Sequence, residues 1–132
     1  MMERRIFDHI DLRVHDMAAA EAFYDQLLPA LGFSEKVGDE ECRTYQVPGE
    51  TRTAFFCFTK GIYHQHNENR IAFWADSRTE VDRLAEVVRE AGGLNLEGPE
   101  LCRDYSPGYY AVFFEDPSGN KLEICCRESR PS

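Results

Sequence analysis

The chain lacks the features that mark membrane, secreted and nucleic-acid-binding proteins. No apolar run in its 132 residues approaches the roughly 20 residues that a membrane-spanning helix requires. The opening segment, MMERRIFDHI, has basic residues but no apolar signal core behind them, so we do not expect secretion. Lys and Arg total 15 against 24 Asp and Glu, for a net charge of −9, whereas nucleic-acid binding requires a basic surface. We therefore expect a cytoplasmic protein with neither a membrane nor a nucleic-acid partner.

Cysteine patterns of disulfide scaffolds and zinc knuckles are also missing. The chain has five cysteines, an odd number, and none of them forms a CxxC pair. Cys125 and Cys126 are adjacent and would point to opposite faces of a strand. We therefore expect reduced thiols that are mostly buried.

The first half of the chain has the pattern of one strand, one helix and three strands. Residues 6–14 alternate between apolar and polar side chains, which is typical of a half-buried strand. Asp16 can cap a helix through MAAAEAFYDQLL, which Pro29 ends or kinks and Gly32 closes. Three further strands are predicted at about 33–39, 42–48 and 53–59.

The second half begins with the same order of elements. RIAFWA (70–75) predicts a strand, and Ser77 with Glu80 forms a capping box for the helix that follows. After that helix we expect a loop that contains Pro99. The chain is then predicted to form strands at about 109–115 and 121–127, joined by the turn DPSG.

The two halves therefore form an internal repeat. Shifting the first half by 61 residues superimposes the elements without a gap and places His9 on Arg70. Each half alone is too small to bury its sheet face well, so the halves should pair. We predict an α+β fold in which two βαβββ modules form a curved mixed sheet, with helices on one face and a concave site on the other. The expected single domain, 1–132, consists of module 1 (about 5–60), a linker (about 61–68) and module 2 (about 69–128).

This duplication resembles the vicinal oxygen chelate superfamily. The similarity is carried by HIDLRVHDMAAAEAFY near the start and by GYYAVFFEDPSGNKLEI near the end, in which DPSGNKLE is the most specific part. The superfamily includes glyoxalase I, extradiol dioxygenases, fosfomycin-resistance transferases and bleomycin-resistance proteins. The resemblance covers about residues 6–127 and implies, for a chain of this length, a homodimer.

The resemblance also implies positions for a metal. In metal-dependent members the ligands come from the first, fifth and last strands, and His9 and Glu123 match the first and last of these positions. Arg70 stands where the remaining ligand, usually a histidine, is expected. The acid that some members use on the fourth strand is absent from TAFFCF.

The chemistry of Arg70 argues against a metal at these positions. Catalytic zinc sites normally have three protein ligands, and a guanidinium cannot be deprotonated in a protein. At about 4 Å and an effective dielectric near 20, Arg70 and a divalent ion would repel by roughly 8 kcal/mol. An ion pair between Arg70 and Glu123 is attractive instead. The sequence therefore favours this pair and no cofactor, while a divalent zinc, nickel, manganese or iron ion stays the alternative.

Further side chains are predicted to line the concave face. Strand alternation places Trp74, Tyr109 and Phe113 beside Arg70, and Tyr45 on the third strand shares this face if its alternation has the same phase. Such a set would suit a small anionic or aromatic molecule. The simpler interpretation is packing for the aromatic residues and a hydrogen bond to a neighbouring strand for His9.

Three functions stay open from the sequence. The favoured one is a metal-free binding protein of the bleomycin-resistance type, which sequesters a small molecule in the groove of a dimer. The second is a metal-dependent lyase, dioxygenase or transferase that uses a divalent metal on His9 and Glu123. The third is a dimeric domain without small-molecule activity. No substrate can be assigned.

Overall fold

The computed structural model describes residues 6–49 and 53–127. The first module contains β1 (His9–Val14), α1 (Met17–Leu31), β2 (Glu35–Gly38), β3 (Cys42–Gln46) and β4 (Phe55–Lys60). The second contains β5 (Arg70–Trp74), α2 (Arg78–Ala91), β6 (Leu94–Leu101), β7 (Tyr109–Glu115) and β8 (Lys121–Arg127). The predicted α+β class and the two βαβββ modules are confirmed. Neither helix in this part of the chain is long and apolar enough to cross a membrane.

The mixed sheet is divided into two four-stranded sheets with the same internal order. The first sheet has the order β1-β4-β3-β2 and the second the order β5-β8-β7-β6. In each sheet the first strand of the module runs parallel to the last, and the remaining pairs are antiparallel. β1 and β5 are therefore edge strands of their sheets.

Helix α1 has the predicted caps but continues through Pro29. The Asp16 side chain accepts a hydrogen bond from the Ala19 backbone at 3.2 Å, and Gly32 ends the helix with φ at 112°. Pro29 lies within the helix, in its last turn, where it removes one backbone donor without ending the helix. The glycine rather than the proline therefore ends this helix.

The prediction of a loop around Pro99 is wrong. Leu94–Leu101 form the strand β6, which pairs with β7. The register shifts twice along this pair, between Leu94 and Glu97 and again between Glu97 and Glu100. β6 is an edge strand, so its outer side forms no ladder of hydrogen bonds with another strand of the sheet. A proline, which lacks an N–H group, can therefore be accommodated there. These irregularities removed the alternation by which the strand would have been recognised.

Both modules share one hydrophobic core. Its buried side chains come from both helices and from both sheets. Across the modules, the ring of Phe23 on α1 lies 6.4 Å from that of Phe114 on β7, and the rings of Phe56 and Phe73 are 6.0 Å apart. The opposite face of each sheet, here called its open face, therefore lies outside this core.

The open faces are defined by strand alternation. The open face of the first sheet carries His9, Asp11, Arg13, Thr44, Phe55 and Cys57. The open face of the second carries Arg70, Ala72, Trp74, Tyr109, Ala111, Phe113, Glu123 and Cys125. The adjacent cysteines confirm the alternation, because Cys126 belongs to the shared core and Cys125 packs with Tyr109 on the open face.

The DPSGN turn between β7 and β8 is organised by a fully buried carboxylate. Asp116 accepts hydrogen bonds from the backbone of Ser118 and Asn120 and from the Asn120 side chain, each at 2.9 Å. It also accepts one from the hydroxyl of Tyr24 on α1 at 2.6 Å. Burial and the nearby carboxylate raise the pKa of Tyr24 well above its usual value, so this hydroxyl stays a donor. The turn is thereby attached to the helix of the other module.

The same turn also contacts β1 and the residue after it. The His15 backbone donates to Ser118 Oγ at 2.8 Å, and Asn120 Nδ2 donates to the carbonyl of Arg13 at 2.9 Å. These bonds join residues more than one hundred positions apart in the chain. The turn therefore holds the two modules in one relative position.

The linker packs over this turn. The ring of His66 lies against Gly119, where a Cβ atom would approach it to 3.0 Å, and the φ of Gly119 is 83°. His64 is half-buried and meets His15 edge-on, with ring centroids 4.6 Å apart. Only glycine therefore suits position 119 in both backbone conformation and space.

We predict that the Asp116→Ala substitution destabilises the fold strongly. It leaves several buried donors without an acceptor and should lower the free energy of unfolding by about 3 kcal/mol or more. Tyr24→Phe removes only one of the four hydrogen bonds and should cost about 1 to 2 kcal/mol. Urea denaturation followed by circular dichroism measures both values.

The matched control for this prediction is Glu40→Ala. Glu40 is exposed in the connection between β2 and β3, so its removal should change stability by no more than about 0.5 kcal/mol. Equal stability of Asp116→Ala and Glu40→Ala would contradict the role of the buried carboxylate.

Candidate functional site

Glu123 is a buried acid on the open face of the second sheet. Only 4% of the residue is exposed, and its neighbours in register are Ala72 on β5 and Phe113 on β7. Its Oε2 accepts a hydrogen bond from the hydroxyl of Tyr109, and its Oε1 lies 4.0 Å from Nη1 of Arg70. A buried carboxylate requires such partners, and the tyrosine and the arginine together compensate the loss of its hydration.

Aromatic rings and guanidinium groups alternate across this face. The guanidinium carbon of Arg70 lies 4.9 Å from the ring centre of Phe113, and that of Arg127 lies 4.8 Å from the ring centre of Tyr109. Tyr105 meets both rings edge-on, with centroids 5.1 Å from Tyr109 and 6.3 Å from Phe113. The face is therefore a layer of stacked side chains rather than an open groove of solvated charges.

Burial keeps the phenol of Tyr109 and the thiol of Cys102 protonated. Burial is the largest cause of a raised pKa at Tyr109, followed by hydrogen bonds with Cys125 and Glu123. Burial likewise raises the pKa of the Cys102 thiol, together with the charges of Glu100 and Glu123. At neutral pH the site therefore contains a protonated phenol and a protonated thiol, and neither is an activated nucleophile.

A cavity of about 520 Å³ opens next to this layer, which is within the usual range for small-molecule sites. It is bounded by side chains of the second sheet and of the hairpin between β6 and β7. These are Arg70, Asn95, Glu97, Glu100, Leu101, Cys102, Arg103, Asp104, Tyr105, Phe113, Phe114, Glu115 and Lys121.

Of the residues predicted from the sequence, Arg70, Tyr109, Phe113 and Glu123 lie together at this site. Trp74 is on the same face at the end of β5, where it is 71% exposed, and it is not among the cavity residues. Trp74 is the last residue of β5, the edge strand of this sheet.

His9 lies on the other sheet. Its ring stacks on Phe55, with centroids 4.4 Å apart, and its Nδ1 is 2.8 Å from Oδ1 of Asp8. Within the single chain strand alternation places His9 on the open face of the first sheet, whereas Glu123 is on that of the second.

Tyr45 lies on the helix side of its sheet. It is 1% exposed, and its hydroxyl donates to Asp25 on α1 at 2.6 Å. Its neighbour on the same side, Arg43, pairs with Glu21 at 3.0 Å. Two acids on α1 therefore set the alternation of β3, and Tyr45 is a core residue that does not reach the open face.

The described side chains near Glu123 do not form a set of ligands for a divalent metal. Across residues 6–49 and 53–127, no three His, Cys, Asp or Glu side chains are grouped so that they could hold a metal ion. Both oxygens of Glu123 already have partners, and one of these is the cation Arg70. The counterpart of Glu123 in the first module is Cys57, since Cys57 pairs with Asp11 as Glu123 pairs with Ala72. Within one chain these residues do not fit a metal with three ligands.

Cys57 has no tendency to ionise. Burial and the charge of Asp11 raise the pKa of its thiol to about 12. In the metal-free protein this position therefore carries a neutral thiol, where some members of the superfamily have an acid on the fourth strand.

Sequence reasoning missed the hairpin residues Tyr105 and Cys102. Both lie in the connection between β6 and β7, in which the Cys102 backbone donates to the carbonyl of Tyr109 at 2.7 Å. The only signal in the sequence was Tyr105, the first tyrosine of RDYSPGYY. Without the strand β6 there was no means of placing that segment above the sheet.

The fold agrees with what comparisons with known proteins show. The family model of the Glyoxalase/Bleomycin resistance protein/Dioxygenase superfamily matches residues 6–124, and the chain belongs to this family. The Uncharacterized protein YqjT of Bacillus subtilis (strain 168) is 32% identical over 129 residues, which cover 88% of this chain and 94% of that protein.

Solved structures of similar proteins have the same fold. A glyoxalase/bleomycin resistance protein from Albidiferax ferrireducens T118 is 28% identical, with a TM-score of 0.72 over 90% of this chain and 97% of its own. A mutant of the fosfomycin resistance protein FosX from Listeria monocytogenes, complexed with Mn(II) and 1S,2S-dihydroxypropylphosphonic acid, is 19% identical. Its TM-score is 0.66 over 92% of this chain and 90% of its own, and it supports the fold alone.

Proposed function

We propose that this chain binds a small molecule with an aromatic part in the cavity beside Tyr105 and Phe113, and that it does so without a metal. The observation that carries this proposal is the Arg70–Glu123 pair. It occupies the positions at which the family resemblance implies metal ligands. The family membership and the size of the cavity support the binding role.

Electrostatics supports the ion pair over a metal. A divalent ion on Glu123 would lie close to the guanidinium of Arg70, which is 4.0 Å from the carboxylate. At an effective dielectric near 20, such a contact costs roughly 8 kcal/mol. The ring of Phe113 under Arg70 further stabilises the cation where it is.

The walls of the cavity support an aromatic ligand. Tyr105 is 58% exposed and stands edge-on to Phe113, so a planar ring can stack against it. An aromatic pair of this kind contributes about 0.5 to 1.5 kcal/mol beyond its buried area.

A metal-dependent lyase, dioxygenase or transferase is the less supported alternative. It requires His9 and Glu123 to act on one ion, and in a single chain they lie on different sheets. Joining them would require a second chain, and Arg70 would still have to move away.

We also propose that the chain forms a homodimer. The two edge strands β1 and β5 are each flanked by exposed apolar residues: Ile6 and Phe7 are 81% and 79% exposed before β1, and Trp74 is 71% exposed at the end of β5. A second copy could cover both edges at once in a two-fold arrangement. This would bring the open face of one chain's first sheet towards the second sheet of its partner and enclose the ligand.

The thiols support a reducing compartment. All five cysteines are free, and intracellular conditions keep thiols reduced. We therefore propose that the protein works in the cytoplasm.

The binding proposal is tested with 2-naphthalenemethanol, a neutral planar probe, by saturation-transfer NMR and calorimetric titration. We expect binding to the unmodified protein, and an affinity about three- to tenfold lower in Tyr105→Ala because one aromatic contact is lost. The control is Tyr63→Ala, since Tyr63 is 89% exposed in the linker. No binding, or an equal loss in the control, would contradict the proposal.

The metal-free site is tested by elemental analysis of protein purified without chelator. We expect substoichiometric zinc, nickel, manganese and iron in the unmodified protein. Arg70→His, which removes the charge and adds a ligand, should bind one of these ions more tightly than Arg70→Gln, which only removes the charge. Stoichiometric metal in the unmodified protein would overturn the ion-pair proposal. Equal behaviour of the two variants would show that His9 does not reach this position in the assembled protein.

The dimer is tested by sedimentation at micromolar concentration. We expect a species of twice the 15.2 kDa chain mass, and Phe7→Glu should shift it towards the monomer, because a charge would be buried at the edge of β1. Tyr63→Glu serves as the matched control in the exposed linker. A single 15.2 kDa species in the unmodified protein would refute the dimer.

A further inference from the structure

We infer that the ligand of this cavity carries a positive charge next to its aromatic ring. The inference rests on the proposed binding function and adds the chemical class of the ligand. It follows from the charges that line the cavity and from the partners that these charges already have.

Two of the three cations that line the cavity are already paired with acids. Arg70 is 4.0 Å from the buried carboxylate of Glu123, and Nζ of Lys121 lies 3.7 Å from Oε2 of Glu115. An anionic ligand would have to share these cations with carboxylates that cannot leave. Arg70 therefore does not mark an anion site, although the sequence allowed that interpretation.

The acids on the opposite side of the cavity are less engaged. Glu97, Glu100 and Asp104 line it, and within residues 6–49 and 53–127 no ion pair involves their side chains. Arg103 is the one lining cation in this part of the chain with no acid partner. Among the described residues, three carboxylates and one guanidinium that line the cavity thus have no ion-pair partner. A cationic ligand would reduce this excess of negative charge.

The register of β6 places these acids next to the aromatic wall. Glu97 lies opposite Phe113, and Glu100 lies opposite Ala111, on the neighbouring strand β7. Tyr105 contacts Phe113 from the hairpin. A planar ring stacked on the exposed face of Tyr105, beside Phe113, would therefore present a short side arm to Glu97, where an ammonium or a similar cation gains a charge-assisted hydrogen bond.

The cavity thus combines the two features that recognise an aromatic amine. The rings bind the planar part and attract a nearby cation through their faces, and the carboxylates of β6 bind the charge. The register shift between Glu97 and Glu100 places both acids opposite residues of the open face, Phe113 and Ala111, so both can reach the same cavity.

The experiment compares three probes that share one ring: 2-naphthylmethylamine, 2-naphthalenemethanol and 2-naphthoate, titrated calorimetrically at low salt. The amine should bind most tightly and the carboxylate most weakly. Glu97→Gln and Glu100→Gln should each reduce the affinity for the amine by up to about fivefold, and reduce that for the alcohol by less. Thermal melts verify that these exposed positions do not alter folding.

The matched control is Glu41→Gln, which changes the net charge equally but lies before β3, away from the cavity. An equal loss of amine binding in this variant would assign the preference to the overall charge of −9 and overturn the inference. Equal binding of the three probes, or a preference for the carboxylate, would also overturn it while the proposed binding function stands. Failure of all three probes to bind would overturn both.

Discussion

The carboxylate of Asp116 is the contact on which the arrangement of the two modules depends. It closes the turn between β7 and β8, receives the hydroxyl of Tyr24 from the other module's helix, and so orients Ser118 and Asn120 towards β1. The shared core can then form between the helix sides of both sheets, which leaves their open faces outside it. The most recognisable part of the sequence, DPSGN, therefore builds the framework and not the site itself.

Glu123, three residues beyond that turn, shows how a scaffold can keep an acid while its chemistry changes. A carboxylate that is 4% exposed needs a compensating positive charge, and either a metal ion or an arginine can supply it. Once Arg70 supplies this positive charge, Glu123 is no longer available as a metal ligand. Its other oxygen accepts a hydrogen bond from the hydroxyl of Tyr109. In the proposed binding mode, the ligand is recognised by neighbouring groups, namely the aromatic hairpin and the acids of β6.

Much of this was accessible from the sequence because it depends on local periodicity. The repeat, the helix caps and the shared face of Arg70, Phe113 and Glu123 all follow from strand alternation and spacing. The strand β6 could not be predicted, since Pro99 and two register shifts disrupt its pattern. The orientation of Tyr45 was also out of reach, because it depends on an acid of α1 that is distant along the chain. Long-range contacts of this kind leave no local pattern.

The irregularity of β6 also bears on how large an assembly this chain can build. A regular edge strand invites the addition of further strands without limit. Here the outer edge of the second sheet carries Pro99 and shifted register, and that of the first sheet is β2, a strand of only four residues, all exposed. Growth is thus discouraged at both outer edges, while the edges at β1 and β5 stay regular. The proposed two-fold dimer would use both of these edges and so remain finite, which would protect a concentrated protein from forming fibres.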